Sequence, residues 1–231
     1  MRRSLLTMFM AAAVLGGSQG TASALTVPFT EDFTANVAGW RDSNNANLLT
    51  FVGSGGPDGG SYASGQINYF GFSNPFGGGA VTFRGQQSGG ASGGAFVGNW
   101  LTGGVKEVSV WVRQNTTEDL TFFMRIATAG NFPGATYNSS TIVTPNTWTL
   151  LTFATDPSSP CSPEFPGPGT CADALANVGN VQFGTNVPAS LALLDQSFTL
   201  DLDKVSIPEP GTLLLMASGL LGLASVSRRR D

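Results

Sequence analysis

Lys106-Glu107-Val108-Ser109-Val110-Trp111-Val112-Arg113 and, a short connection later, Leu120-Thr121-Phe122-Phe123-Met124-Arg125-Ile126-Ala127-Thr128 decide the fold of this chain. In the first stretch Val108, Val110 and Val112 alternate with Ser109, Trp111 and Arg113, and in the second Leu120, Phe122, Met124 and Ile126 fall on one side. That period of two belongs to an extended strand with one face in a core, and no run between residues 25 and 207 keeps a helical period for three turns. Working outward, short runs of the same kind recur at Val27 to Phe33, Leu48 to Val52, Ser61 to Asn68, Ala80 to Phe83, Trp148 to Ala154, Val181 to Gly184 and Ser197 to Ile207. Glycine clusters at 53 to 60, 77 to 79 and 89 to 94 punctuate them as turns. None is a phosphate loop, because G-x-x-x-x-G-K-[ST] is absent. About nine short strands predict an all-β, two-sheet antiparallel β-sandwich over residues 25–207.

Composition narrows the chemistry. The chain has 231 residues with 31 Gly, 13 Pro, two Cys and no His, and 11% of its residues are charged. Without histidine there is no Ser-His-Asp or Cys-His catalysis within the chain and no His-ligated metal. Residues 25–207 hold six of the 11 basic residues against 13 of the 15 acidic ones, a balance of about −7. A surface that acidic has no footprint for nucleic acid.

The two ends read as addresses. Arg2 and Arg3 precede an apolar run from Leu5 to Leu15, and Ala22-Ser23-Ala24 is a small-residue cleavage site, so residues 1–24 predict a signal peptide cut between Ala24 and Leu25. At the other end, Pro208-Glu209-Pro210 leads into an uncharged segment, 211–227, and then Arg228-Arg229-Arg230. That segment gives about 25 Å of helix, near the lower limit for a bilayer core, and the flanking arginines can snorkel to extend it. The positive-inside rule puts Arg228, Arg229 and Arg230 in the cytoplasm and the body on the exported side. Pro208, Glu209, Pro210, a short transmembrane helix and a terminal arginine cluster resemble the PEP-CTERM sorting signal of Gram-negative exopolysaccharide producers, covering 208–231. The resemblance implies recognition by an exosortase-type membrane protease, and a body released or transferred to the cell surface or extracellular matrix.

Glu31-Asp32-Phe33 with Gly39-Trp40, Val108 to Val112, Thr147-Trp148-Thr149-Leu150 and Leu202 to Ile207 resemble strands of exported jelly-roll domains of the carbohydrate-binding and laminin-G-like sort. That resemblance implies a jelly-roll topology and a structural calcium where the terminal strands meet, with Asp203, Asp201, Glu31 and Asp32 as its oxygen ligands.

The polar sides of the two deciding strands carry the ligand expectation. If the strands pair, Trp111 and Phe123 share one face with Arg113, Arg125 and Ser109, the mixture of flat apolar rings and hydrogen-bonding groups that a sugar ring needs. The expectation is weak polysaccharide binding, with exopolysaccharide as partner. Two other readings stand beside it: a purely structural surface protein in which the rings are covered, and a glycoside hydrolase working through two carboxylates, for which the sequence locates no facing pair. No catalytic residue is assigned. Cys161 and Cys171 bracket a proline-rich loop and, in an exported chain, predict a structural disulfide.

Overall fold

The computed structural model describes residues 25–72, 79–164 and 169–209. The expected signal peptide 1–24, Pro210, the expected transmembrane segment 211–227 and Arg228 to Arg230 lie outside the described residues.

Eleven strands are described: β1 (Phe29–Glu31), β2 (Thr50–Val52), β3 (Tyr62–Asn68), β4 (Gly79–Gln86), β5 (Glu107–Gln114), β6 (Leu120–Ala127), β7 (Gly134–Val143), β8 (Thr149–Ala154), β9 (Ser162–Glu164), β10 (Asn180–Asn186) and β11 (Ser197–Ile207). They form two antiparallel sheets. The first runs β2-β3-β11-β5-β8, with β1 added along the far end of β11, and the second runs β4-β10-β6-β7-β9. Neighbours in each sheet are mostly distant in sequence, as in a jelly roll, and the all-β sandwich expectation holds.

The apolar alternation explains how the sheets stack. Val108, Val110 and Val112 of β5 and Leu200 and Leu202 of β11 are buried, as are Phe122, Met124 and Ile126 of β6 and Phe83 and Phe183 of the second sheet. All belong to one continuous core. Trp40 sits in it with no exposed surface, its ring stacked on Phe183 at 6.1 Å and edge-on to Phe33 and Phe96. The Gly39-Trp40 pair is thus an anchor between the N-terminal segment and the second sheet. Gly39, with φ of +76°, has Gly89 O 2.8 Å from where a Cβ would stand, so only glycine allows this approach.

One expectation fails. β5 and β6 do not pair: β5 lies between β11 and β8 in the first sheet, and β6 between β10 and β7 in the second. The connection between them crosses from one sheet to the other around the buried amide of Gln114, which donates to Glu118 O and Val143 O at 3.0 Å each and accepts from the Thr116 N–H. Their apolar sides face each other across the core, so Trp111 and Arg113 point away from Phe123 and Arg125. Alternation says which side of a strand is inward; it does not say to which sheet the strand belongs.

β7 and β9 were not anticipated. Asn138-Ser139-Ser140-Thr141 has no apolar alternation, and four consecutive residues there are at least partly solvent-facing. β9 contains Pro163, tolerated because β9 is the edge of its sheet. Cys161 and Cys171 form a disulfide, and Cys171 opens α1 (Cys171–Leu175), whose first turn is capped by Asp173 accepting from the Thr170 N–H at 2.6 Å.

Candidate functional site

The outer side of the second sheet holds a cleft of about 450 Å³ lined by residues that include Phe123, Arg125, Thr136, Asn138, Ser162, Glu164 and Asn186. Register builds it. Arg125 is opposite Thr136 and Gln182, Phe123 is opposite Asn138 and Gly184, and Thr136 is opposite Ser162, so one row of side chains from four strands shares this surface.

Arg125 is its centre and is 7% exposed. Its Nε donates to Glu164 Oε2 at 2.6 Å, Nη1 to Asn131 Oδ1 at 2.9 Å and to Gln182 Oε1 at 3.1 Å, and Nη2 to the Asn131 carbonyl at 3.0 Å. Its guanidinium also lies 5.6 Å from the centre of the Phe132 ring. The second carboxylate oxygen of Glu164 accepts from the Thr136 hydroxyl. A guanidinium with so many fixed partners holds the floor of the cleft rigid. The hydroxyls and amides at its sides, Thr136, Asn138, Ser162 and Asn186, give it a polar wall that can both donate and accept.

Phe123 departs from the expectation of an open stacking platform. A Cβ on Gly79 would stand 2.4 Å from its Cε1 and one on Gly184 2.2 Å from its Cζ, so the ring rests against two glycines and is 6% exposed. Its place in the cleft is that of a packed wall. Among the described residues lining the cleft Glu164 is the one carboxylate, so they do not include the paired acids of glycosidic hydrolysis. Glu164, Asn138 and Thr136 were missed because β7 and β9 were missed, and Asn186 because β10 runs two residues beyond the expected Val181 to Gly184.

Trp111, Arg113 and Ser109 lie on the other outer surface, opposite Asp203, Asp201 and Ser206 of β11. Trp111 is half-buried. Arg113 Nε donates to Asp201 Oδ2 at 2.8 Å, which occupies one of the four acids read as calcium ligands. Glu31 accepts from the Phe33 N–H at 3.2 Å. Among the described residues no three His, Cys, Asp or Glu side chains converge to hold a metal. Asp32 is exposed, whereas Asp203 is 1% exposed, its Oδ1 accepting from the Lys204 N–H at 2.8 Å and its Oδ2 having no partner. That Oδ2, Gly60 O and Ser61 O lie 3.0, 3.0 and 3.2 Å from where a Cβ on Gly56 would stand. Lys204 turns away to pair with Asp58 at 2.7 Å.

Burial pushes the Asp203 carboxyl from its ordinary 3.8 up to about 6, with Asp58 and Asp32 adding to the rise against the Lys204 N–H and charge. A carboxyl with a raised folded pKa favours folding below about pH 4, and this advantage disappears as pH rises through about 6. Asp203→Asn should therefore stabilise the fold at pH 7.5 by about 1–2 kcal/mol and have little effect at pH 4. Thermal melts at the two pH values check this; equal shifts at both would show that Asp203 does not titrate as described.

The last strand leads directly into the tail. Ile207 is fully buried opposite Phe29, the Ser206 and Thr30 hydroxyls are 2.8 Å apart, and Pro208 and Glu209 emerge exposed. Residues 206–230 match the PEP-CTERM protein-sorting motif. The PEP-CTERM motif marks the chain for export and for exosortase-dependent sorting from a membrane-anchored precursor. Its first two residues are the last two of β11. No helix among the described residues is long and apolar enough to cross a membrane; the expected span lies in the tail outside them.

No curated protein matches the chain. Among solved structures it is similar to the CBM22-1–GH10 modules of the Clostridium thermocellum N-terminal endo-1,4-beta-D-xylanase 10B complexed with xylohexaose, at 16% identity and a TM-score of 0.48, over 80% of this chain and 28% of that one. It is also similar to the apo Crh5 transglycosylase, at 13% identity and a TM-score of 0.37, over 80% of this chain and 85% of that one.

Proposed function

We propose that this is an exported surface or matrix protein whose signal peptide, residues 1–24, is removed and whose β-sandwich, residues 25–207, weakly binds a neutral polysaccharide in the Arg125 cleft. The observation that carries this reading is the cleft itself: a groove of about 450 Å³ with a rigid guanidinium-carboxylate floor and hydroxyl and amide sides. Such a surface matches a ligand that presents many hydroxyls and no charge. The acidic balance of the body, about −7, disfavours an anionic chain. Because Phe123 is packed against glycines, hydrogen bonds carry the contact more than ring stacking does.

The test is affinity electrophoresis of the full chain in detergent through gels containing soluble xylan, β-glucan or dextran. Wild type should be retarded by at least one of them. Asn138→Ala with Asn186→Ala should weaken retention in the cleft about tenfold, the effect of losing roughly 1.4 kcal/mol of hydrogen bonding. Wild type that runs freely in all three gels would leave the purely structural role. A structural calcium held by Asp203 belongs to the same reading: calcium at pH 7.5 should raise the melting temperature of wild type and not of Asp203→Asn.

A further inference from the structure

We propose that the first sheet carries a second, independent sugar-binding pocket around Arg113, so that one body bridges two polysaccharide chains. This rests on the reading that the Arg125 cleft binds polysaccharide. The pocket, about 230 Å³, is lined by residues that include Tyr62, Ser64, Arg113, Asn146, Thr199 and Asp201. It is on the opposite side of the sandwich from the cleft, because β5 and β6 present opposite outer surfaces.

Its parts are held as firmly as those of the cleft. The Arg113 guanidinium lies 5.0 Å from the centre of the Tyr62 ring and 4.7 Å from that of Trp148, and the two rings meet edge-to-face at 5.3 Å. Arg113 Nη2 donates to the Tyr62 hydroxyl at 2.9 Å, and the Trp148 indole N–H donates to the Gly55 carbonyl at 2.9 Å, which fixes both rings. Asp201 is 5% exposed, gives one oxygen to Arg113, and its Oδ1 has no partner.

The chemistry selects the ligand. Arg113 has its Nε, Nη1 and Nη2 directed to Asp201, Gly55 and Tyr62, so the guanidinium offers little to an anion. Its charge is balanced by Asp201, so the pocket does not attract a cation either. The pocket is lined by Asp201, one of whose oxygens has no donor, by hydroxyl and amide side chains and by the partly exposed Tyr62 ring, with the Trp148 ring edge-on behind Tyr62. A neutral sugar supplies the matching set, hydroxyl donors and an apolar C–H face. Two such sites on opposite sides of one rigid body cannot both serve one short segment of a chain, and a polymer that meets many bodies becomes cross-linked.

The experiment uses the full chain in detergent, at a concentration where light scattering shows a monomer, with soluble xylan, β-glucan and dextran in turn. Wild type should be retarded in gels and should also raise the hydrodynamic size of the polysaccharide in solution. Trp148→Ala and, separately, Asn138→Ala with Asn186→Ala should each stay retarded while losing the size increase about tenfold, and the combined variant should lose both. Ser64→Tyr, a larger side chain at a residue that lines the pocket, serves as a second probe, with melting curves confirming that each variant is folded. If Trp148→Ala and Ser64→Tyr cross-link as wild type does, or if the cleft variant alone abolishes all retardation, there is one site and the second-site proposal falls while the polysaccharide reading stands. If wild type is not retarded in any gel, the polysaccharide reading itself fails and this proposal with it.

Discussion

Trp40→Ala should destabilise the folded body by about 3–5 kcal/mol, the range for deleting a large aromatic from a closed core. Trp40 has no exposed surface and four fixed partners. It stacks on Phe183 with planes 12° apart, meets Phe33 and Phe96 edge-on at 6.2 Å each, and its indole N–H donates to Ser92 Oγ at 2.9 Å. A Cβ on Gly85 would stand 2.7 Å from the ring, so β4 also closes on it. Removing the indole leaves a cavity between segments far apart in sequence, with Ser92 short of a donor. Trp40→Phe should recover part of the loss and leave the Ser92 hydrogen bond unmade. Urea unfolding followed by circular dichroism measures both. A cost under about 1 kcal/mol for the alanine variant would mean that the N-terminal segment is not clamped to the second sheet in this way.

Arg125→Ala should cost about 3 kcal/mol and also remove polysaccharide retention through the cleft. The cost follows from what is left behind. The Glu164 carboxylate, the Gln182 carbonyl oxygen and the Asn131 carbonyl all lose a donor, and stranding a carboxylate whose partner guanidinium was buried is more harmful than never having had the pair. Gln182 is fully buried and its Nε2 already lacks a partner, so the site has little slack. Arg125→Lys should also fail, since one ammonium cannot reach Glu164, Asn131 and Gln182 in the fork geometry that Arg125 uses. Pairing Arg125→Ala with Glu164→Gln in a double-mutant cycle should show coupling of at least about 1 kcal/mol. Additive effects would mean that the floor of the cleft is not one unit.

The fold class was legible in the order of residues because burial on one side of a strand writes a period of two into the sequence. Val108, Val110 and Val112, and Phe122, Met124 and Ile126, show it directly and are all buried. The last strand, Ser197–Ile207, was also legible to its bounds, and the motif at 206–230 is local, a matter of consecutive residues. The Cys161–Cys171 pair followed from compartment and spacing.

The candidate site was only partly legible. Arg125 and Phe123 stood out as polar-side residues of a deciding strand, and Arg113 and Trp111 as those of another. The neighbours that give each its chemistry come from elsewhere in the chain: Glu164 from β9 and Asn138 from β7 for Arg125, and Tyr62 from β3, Trp148 from the approach to β8 and Asp201 from β11 for Arg113. β7 and β9 carry polar and proline residues that an edge region tolerates, so they leave no periodic signal.

By itself the sequence determined the all-β class, the inward faces of the strands, the sorting motif and the acidic balance of the body, because each depends on neighbours in the chain or on totals. Only the tertiary structure decided which strands share a sheet. The six residues after Arg113 could have turned back as a hairpin, and the Gln114 amide instead carries the chain across to the other sheet. That choice turns one expected face into two opposed ones, because strand pairing is settled by contacts between distant segments, which alternation along a single strand does not record.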